Sequence, residues 1–341
     1  MGLRDARGAL IAVLCGLAVF VSHAPRAEDN GQPRFFSIGT GSTAGTYFPI
    51  GALIAAAISR PGESSPCGQG GACGVDNLIA TAITTRGSFE NLEGIALRRL
   101  DSGLAQADIV AWAYEGAEIF TGQGAFPDLR AIANLYPEHV HLVARKGLEI
   151  HSLADLRGHK VAIDRDGSGT RINALLIMSA FGVEPGDIET VNAGPELAIS
   201  SLLEEQIDAA FFVVGYPSAA VAELLDTGRF ELVPINGMAA GQLIFANRYY
   251  TISSIPAGSY GDNPEIETIT VGAQWITHAD LPDDLIYGIT AALWREENRD
   301  LLNAGHAKGE QIRLETALDG LTIPLHPGAK RYYVEKGLIS E

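Results

Sequence analysis

Short apolar runs recur along the chain, and each is followed by a polar turn and a longer amphipathic stretch. The runs at 35–38 and 209–214 are typical of buried strands, and apolar residues at helical spacing follow them. Strands and helices therefore alternate, which predicts an α/β fold with mostly parallel sheets. The longest extended segment, 129–144, is interrupted only by Tyr136-Pro137. This pattern predicts a strand that crosses between two lobes.

The first strand leads into a junction with binding potential. A glycine-rich turn at 39–45 follows it, and an apolar helix with Pro49 in its first turn comes next. A helix N-terminus presents N–H groups without intrahelical partners and the positive end of the helix dipole, so it binds anions. The junction also supplies hydroxyl groups, from Thr40, Ser42, Thr43, Thr46 and Tyr47.

The same pattern occurs a second time. A predicted strand at 160–164 leads into the polar turn 164–170 and a further helix, and Ser168 and Thr170 supply hydroxyl donors. Two such junctions in separate α/β blocks favour a ligand held between two helix N-termini. Arg171 either pairs directly with a carboxylate or lies at the solvated surface.

Other polar residues lie where predicted strands end. Ser88 is predicted to cap the helix after strand 78–84, and Asn91 stands where its side chain can turn back to the cap. These two residues either serve only as caps or face the same cleft as the first glycine turn. Tyr216 follows the strand 209–214, at the end where open α/β sheets bind ligands.

The cysteines and histidines bear on disulfides and metals. Cys67 and Cys73 flank a glycine-rich loop, and a close pair in an exported chain predicts a disulfide. A metal pair is the alternative, but no histidine lies near and two thiolates do not complete a zinc site. His139 and His141 share one face of a predicted strand without an evident third ligand. The sequence therefore predicts no metal site.

The N-terminus has the pattern of a secretory signal peptide over residues 1–24. Arg4 and Arg7 precede the apolar run 9–21, and Ser22-His23-Ala24 follows as a small-residue cleavage site. Cys15 lies in the run and is expected to be removed with it. No later segment has the apolar length of a membrane span. We therefore expect a soluble protein in the periplasm.

The length of the chain bears on the number of domains, and its net charge bears on the kinds of ligand it can bind. The chain has 341 residues, enough for one large or two ordinary domains. Its formal charge is −17, and loss of residues 1–24 would make it about −18. Such an acidic chain is a poor candidate for nucleic-acid binding. A small anionic ligand remains compatible, because local dipoles outweigh net charge inside a cleft.

The first glycine turn has two other interpretations. One is a tight turn whose glycines serve only backbone geometry. The other is a dinucleotide site, because GxGxxxG is a loose variant of the known fingerprint. The acidic ribose ligand expected about 20 residues later would be Glu63, which lies in a Pro/Gly/Ser-rich loop rather than at a strand end. A nucleotide-dependent oxidoreductase is thus a less favoured alternative, and no cofactor is predicted.

Several segments resemble the TAXI family, the solute-binding proteins of a subclass of tripartite ATP-independent periplasmic (TRAP) transporters. The resemblance extends over essentially the whole chain after the signal peptide. Its motifs are IGTGSTAGTYFPIG at 38–51, TTRGSFENL at 84–92, QADIVAWAY at 106–114, LRAIANLYPEHVHLVAR at 129–145, SLADLRGHKVAIDRDGSGTRINA at 152–174, IDAAFFVVGYP at 207–217, IPAGSY at 255–260, LPDDLIYGITAALW at 281–294 and LDGLTIPLHPGAKRYYVEKG at 318–337.

The resemblance implies a two-lobe, type II periplasmic-binding-protein-like fold with a hinge and a ligand in the cleft. Lobe 1 would comprise 34–138 and 279–341, and lobe 2 would comprise 139–278. The implied protein is a monomeric, non-enzymatic receptor for a small carboxylate, either glutamate or a C4/C5 dicarboxylate such as 2-oxoglutarate. It would deliver the ligand to a sodium-coupled TRAP permease. A sensing module for a signalling partner would have the same pocket.

The resemblance also implies a set of ligand-binding residues in the two glycine turns and at two strand ends. They are Gly41, Thr43, Gly45, Thr46, Tyr47, Ser88, Asn91, Ser168, Gly169, Thr170 and Tyr216. Hydroxyls and backbone amides are expected to hold the carboxylate, with no single arginine responsible. Arg171 departs from the residue types usual at its position.

Overall fold

The computed structural model describes residues 32–62, Cys67 and residues 73–340. The predicted signal peptide, Cys15 and Glu63 lie outside the described residues. Cys67 and Cys73 are joined by a disulfide with an S–S distance of 2.04 Å. The described residues from Pro33 onward form a single unit.

The described residues form twelve strands that belong to one sheet. In chain order they are β1 (Arg34–Gly39), β2 (Ser59–Arg60), β3 (Val75–Asp76), β4 (Leu78–Ile83), β5 (Ser102–Gln106), β6 (Leu129–Arg145), β7 (Lys160–Ala162), β8 (Glu189–Val191), β9 (Ala209–Val214), β10 (Phe230–Val233), β11 (Tyr250–Ile255) and β12 (Ile266–His278).

Helices connect most of these strands. The α-helices of the described part are α1 (Tyr47–Ile58), α2 (Ser88–Ala96), α3 (Ala107–Glu115), α4 (Gly169–Ala180), α5 (Pro195–Leu203), α6 (Ala219–Leu225), α7 (Gly237–Ala246), α8 (Asp283–Leu293), α9 (Arg299–Gly305) and α10 (Pro327–Glu335). Short 3₁₀ helices lie at Glu118–Phe120, Leu153–Leu156, Pro185–Asp187, Glu296–Asn298, Ala307–Gln311 and Leu314–Thr316. Among the described residues, no helix combines the length and apolar character needed to cross a membrane.

The sheet is parallel in two flanking blocks and antiparallel in its centre. β1 runs parallel to β4 and β5, and β7 runs parallel to β8 and β9. Between the blocks, β6 and β12 are antiparallel to each other. β6 is also antiparallel to its other neighbour β9, and β12 is antiparallel to β5. The prediction of mostly parallel sheets is thus wrong for the centre, because the chain crosses through β6 and returns through β12.

Two lobes are visible in the packing of the hydrophobic core. β6 contributes Ile132, Leu135 and Tyr136 to clusters that also contain Phe36 and Trp275. Past Pro137 the same strand contributes residues to clusters built on the other side of the molecule, such as Val140, Leu142, Val143 and Ala144 with Phe211 and Phe212. The predicted long strand is therefore confirmed, and Pro137 marks the point at which it leaves one core for the next.

Candidate functional site

A cavity of about 60 Å³ lies where the two lobes meet. Since one water needs about 10–15 Å³ of such a cavity, there is room for several water-sized groups. Six of the residues implied by the resemblance lie on its wall, namely Gly41, Tyr47, Ser88, Ser168, Gly169 and Thr170. The wall also contains residues that the sequence did not single out as ligands, including Arg86, Gln106, Glu138, Asp164 and Arg165.

The N-terminus of α4 supplies part of the lobe 2 side of the cavity. Ser168 is the N-cap, and its Oγ accepts a hydrogen bond from the Arg171 amide at 3.1 Å. The first N–H groups of the helix, beginning at Gly169, have no intrahelical acceptor. A Cβ atom on Gly169 would lie 1.9 Å from Gln106 Oε1 and 2.9 Å from Ser88 Oγ, both on lobe 1. Glycine therefore permits this close approach of the lobes.

The first glycine junction contributes to lobe contact as well as to the wall. Thr46 Oγ1 accepts a hydrogen bond from the Gly215 amide of lobe 2 at 3.0 Å. The Tyr47 hydroxyl donates to Glu138 Oε2 at 2.7 Å. Ser42 donates to Glu196 Oε1 at the start of α5. The hydroxyl groups of this turn are thus largely engaged by protein partners.

Several of the implied ligand residues lie away from the cavity wall. Thr43 is exposed, with its hydroxyl 3.3 Å from Glu196 Oε1. Gly45 and Thr46 are not among the described residues that line the cavity. The Asn91 amide donates to the Thr40 and Leu104 carbonyls at 2.7 and 2.8 Å, so it fixes the strand ends of lobe 1.

Ser88 has a different local role from the predicted one. Helix α2 begins at Ser88, and Gly87, with φ of 114°, occupies the N-cap position. The prediction of Ser88 as N-cap is therefore wrong. Its Oγ instead accepts a hydrogen bond from the Gln106 backbone N–H at 3.1 Å. This bond joins the start of α2 to the end of β5, and both line the cavity.

Three arginines near the two turns have distinct environments. Arg86 pairs with Glu90, with Nε 3.0 Å from Oε2. Arg165 Nε is buried and has no hydrogen-bond partner among the described residues. Arg171 lies off the cavity wall, where its side chain bonds Asp166 at 2.9 Å and Asn192 at 2.6 Å. Sequence reasoning considered Arg171 and missed Arg86 and Arg165, although Arg86 directly precedes Gly87 and Arg165 lies two residues before Gly167.

Glu138 is a buried acid on the cavity wall, 2% exposed. Burial raises the pKa of its carboxyl to about 8, and the charge of Asp108 acts in the same direction. The Tyr47 hydrogen bond and the Lys308 charge oppose this rise. The sequence offered no signal for Glu138, because its environment comes from segments that are distant along the chain.

Lys308, whose charge acts on this carboxyl, lies in the 3₁₀ helix Ala307–Gln311. It is fully buried, and burial lowers the pKa of its amine to about 8. Its Nζ donates to Gln311 Oε1 at 3.1 Å and lies 3.9 Å from the centre of the Tyr216 ring. Tyr216, implied as a ligand contact, is instead packed between Lys308 and His139.

A second buried acid links the lobes beside the cavity. Asp108 lies within the first turn of α3. Its Oδ2 accepts hydrogen bonds from Asn173 Nδ2 at 2.7 Å and from the Tyr250 hydroxyl at 2.5 Å, both on lobe 2. Burial raises the pKa of this carboxyl. We call this group of three residues the Asp108 clasp.

The two histidines of β6 have protein partners. His139 Nε2 lies 3.2 Å from Ser253 Oγ, and His141 Nε2 lies 2.9 Å from the Tyr260 hydroxyl. Burial lowers the pKa of both imidazoles, that of His141 to about 4. Within the described part of the chain, no three His, Cys, Asp or Glu residues converge as a metal site would require.

Comparison with known proteins shows which family and which solved structures this chain is similar to. A family model described as the NMT1-like family matches residues 38–337. Prochlorococcus marinus PhnD1 in complex with methylphosphonate is 12% identical with a TM-score of 0.53, covering 90% of this chain and 100% of that one. Rhodopseudomonas palustris MatC with bound malate is 14% identical with a TM-score of 0.51, covering 80% and 88%. A Pseudomonas aeruginosa binding protein of an ABC phosphonate transporter is 12% identical at 0.52, covering 85% and 83%.

These comparisons confirm the two-lobe, type II periplasmic-binding-protein fold. They also correct the family. The resemblance to TAXI proteins of TRAP transporters is wrong, because the matching model is that of the NMT1-like family and structural neighbours include phosphonate-binding proteins such as PhnD1 and an ABC component.

Proposed function

We propose that this chain, which belongs to the NMT1-like family, is a periplasmic solute-binding protein for a small carboxylate. The candidate ligands are glutamate and C4/C5 dicarboxylates such as 2-oxoglutarate, the compounds that the resemblance implied. The protein would hand its ligand to a membrane component of a transporter. Its lobes would be 34–138 with 279–341, and 139–278, although the cores support a second crossing within β12, between Val271 and Ala273.

The observation that carries the proposal is the unpaired Nε of Arg165 beside the N-terminus of α4. A buried guanidinium donor without an acceptor is costly, and a carboxylate oxygen would satisfy it. The free N–H groups at the start of α4 favour the same kind of ligand. Because both lobes supply the cavity wall, a bound anion would stabilise the closed arrangement by its differential affinity for it.

Ligand-stripped protein tests this function. Thermal unfolding would be followed with succinate, L-malate, glutamate, 2-oxoglutarate, methylphosphonate and an alkanesulfonate, and calorimetry would give the affinities. We expect a carboxylate to stabilise the fold, by about 2.7 kcal/mol at a hundredfold excess over its dissociation constant. The proposal fails if methylphosphonate or the sulfonate binds and none of the carboxylates does. It also fails if none of the six compounds raises the melting temperature.

A further inference from the structure

The cavity wall has a second polar feature besides Arg165, the carboxyl group of Glu138. Glu138 Oε2 accepts the Tyr47 hydrogen bond at 2.7 Å. Glu138 Oε1 accepts no hydrogen bond from the described residues, and the side chain lies on the cavity wall. No described lysine, arginine or histidine pairs with this carboxylate within salt-bridge distance.

The cation whose charge acts on Glu138, Lys308, is already engaged. Lys308 Nζ donates to Gln311 and lies on the face of the Tyr216 ring. A buried carboxylate without a paired cation is costly, so the neutral acid is favoured. A neutral carboxyl has one O–H donor beside its accepting oxygen. Since Tyr47 donates to Oε2, the proton is placed on Oε1, at the cavity.

We propose, resting on the proposed function, that protonated Glu138 donates a hydrogen bond from Oε1 to an oxygen of the bound anion. The ligand is then surrounded by donors, with Arg165 Nε and the α4 amides at one end and the Glu138 hydroxyl at the other. The site thus takes a compound that presents oxygens at both ends, such as a dicarboxylate. It rejects a compound with an ammonium group at the Glu138 end.

This assignment makes anion affinity depend on pH in one direction. The pKa of the Glu138 carboxyl is raised to about 8, so the donor is present below pH 8 and is lost above it. The affinity should be constant below pH 8. Above it the affinity should fall about tenfold per pH unit, because the lost proton must be regained on binding.

Other ionisable groups face Glu138, and their effects on the pH dependence of affinity have to be distinguished from its own. They are Tyr47 on α1, Asp108 on α3, Tyr136 on β6 and Lys308 on the 3₁₀ helix. On β12 the residue opposite Glu138 is the apolar Val271. Lys308 is the important competitor, because the pKa of its amine is also lowered to about 8 and loss of its charge would weaken anion binding too.

Succinate and β-alanine form a matched pair of probes, because an ammonium group replaces one carboxylate. Calorimetry from pH 6 to pH 9.5 would measure both. We expect wild-type protein to bind succinate at least tenfold more tightly than β-alanine and to lose succinate affinity above pH 8. In Glu138→Gln the amide keeps a donor but cannot ionise, so the pH dependence should vanish. Glu223→Gln, an exposed acid on α6, should keep the wild-type profile.

Two results would overturn the inference. Tighter binding of β-alanine would show that Glu138 is ionised and holds an ammonium group. A pH break that persists in Glu138→Gln and disappears in Lys308→Met would assign the titration to Lys308.

A third measurement does not depend on a ligand. Infrared difference spectra between wild-type protein and Glu138→Gln at pH 7 should show the carbonyl band of a protonated carboxylic acid. Absence of that band would refute the inference even if no probe binds. Presence of the band without any binding would leave Glu138 protonated and would count against the proposed function instead.

Discussion

Arg165 and Arg171 flank the same glycine turn but differ in what they contact. Arg165 has an unpaired donor on the cavity wall, whereas Arg171 is satisfied by Asp166 and Asn192. We expect Arg165→Gln to weaken carboxylate binding about 10- to 100-fold, since a hydrogen bond to a charged group is worth about 1.5–3 kcal/mol. Arg171→Gln is the matched control and should change affinity less than about threefold. Calorimetry with succinate measures both, and equal losses would contradict this assignment.

A second prediction concerns the effect of a side chain at Gly169 on ligand affinity. A Cβ there would overlap the buried Gln106 amide, so Gly169→Ala should hinder closure of the lobes. Overpacking costs about 1–3 kcal/mol, which corresponds to about 5- to 100-fold in affinity. Gly241→Ala on α7 is the control, because nothing lies within 4 Å of its added Cβ. That change should leave binding intact and stabilise the fold by about 0.5–1 kcal/mol.

Among the elements, the Asp108 clasp joins α3 of lobe 1 to α4 and β11 of lobe 2. Tyr250→Phe removes one donor to Asp108, and we expect it to lower the free energy of unfolding by about 1 kcal/mol. Asp108→Asn combined with Tyr250→Phe should cost less than the sum of the two single changes, because they share one interaction. Urea unfolding measures all three variants. Tyr249→Phe is the neighbouring control, and a loss as large as that of Tyr250→Phe would argue against the clasp.

The elements themselves were largely predictable from the sequence, whereas their contacts were not. β6 was predicted because its apolar run and its single proline are local features. The role of Glu138 was not predicted, because Tyr47, Asp108 and Lys308, which act on the pKa of its carboxyl, come from distant segments of the chain. Ser88 was predicted as the N-cap from its spacing to Asn91. Gly87, which has a positive φ, occupies that position instead, and the Ser88 hydroxyl accepts a hydrogen bond from the Gln106 backbone N–H. Local pattern thus identifies the turns, and the tertiary fold decides which side chains they present.

At the scale of the whole molecule, the described structure has its lobes in contact around the cavity. Thr46 with Gly215, Ser42 with Glu196 and the Asp108 clasp all bridge the lobes. Apolar contacts cross between the lobes as well, because Ala107 packs into a core cluster of lobe 2, and Ile172, Leu176 and Tyr249 pack against the lobe 1 cluster that contains Trp112. The proposed function requires a ligand to enter and leave the cavity. We therefore expect an equilibrium between open and closed arrangements, which a ligand that binds only the closed one shifts.

Small-angle scattering tests this equilibrium. A compact chain of this length has a radius of gyration of about 20 Å. With saturating succinate we expect a value near that figure, and a larger one for ligand-stripped protein, because an open cleft moves mass away from the centre. Arg165→Gln at the same succinate concentration should remain open, which separates ligand-driven closure from a salt effect. If wild-type protein binds succinate in calorimetry and its scattering profile does not change, then the lobes are closed without ligand, and the two crossing strands act as a rigid connection rather than as a hinge.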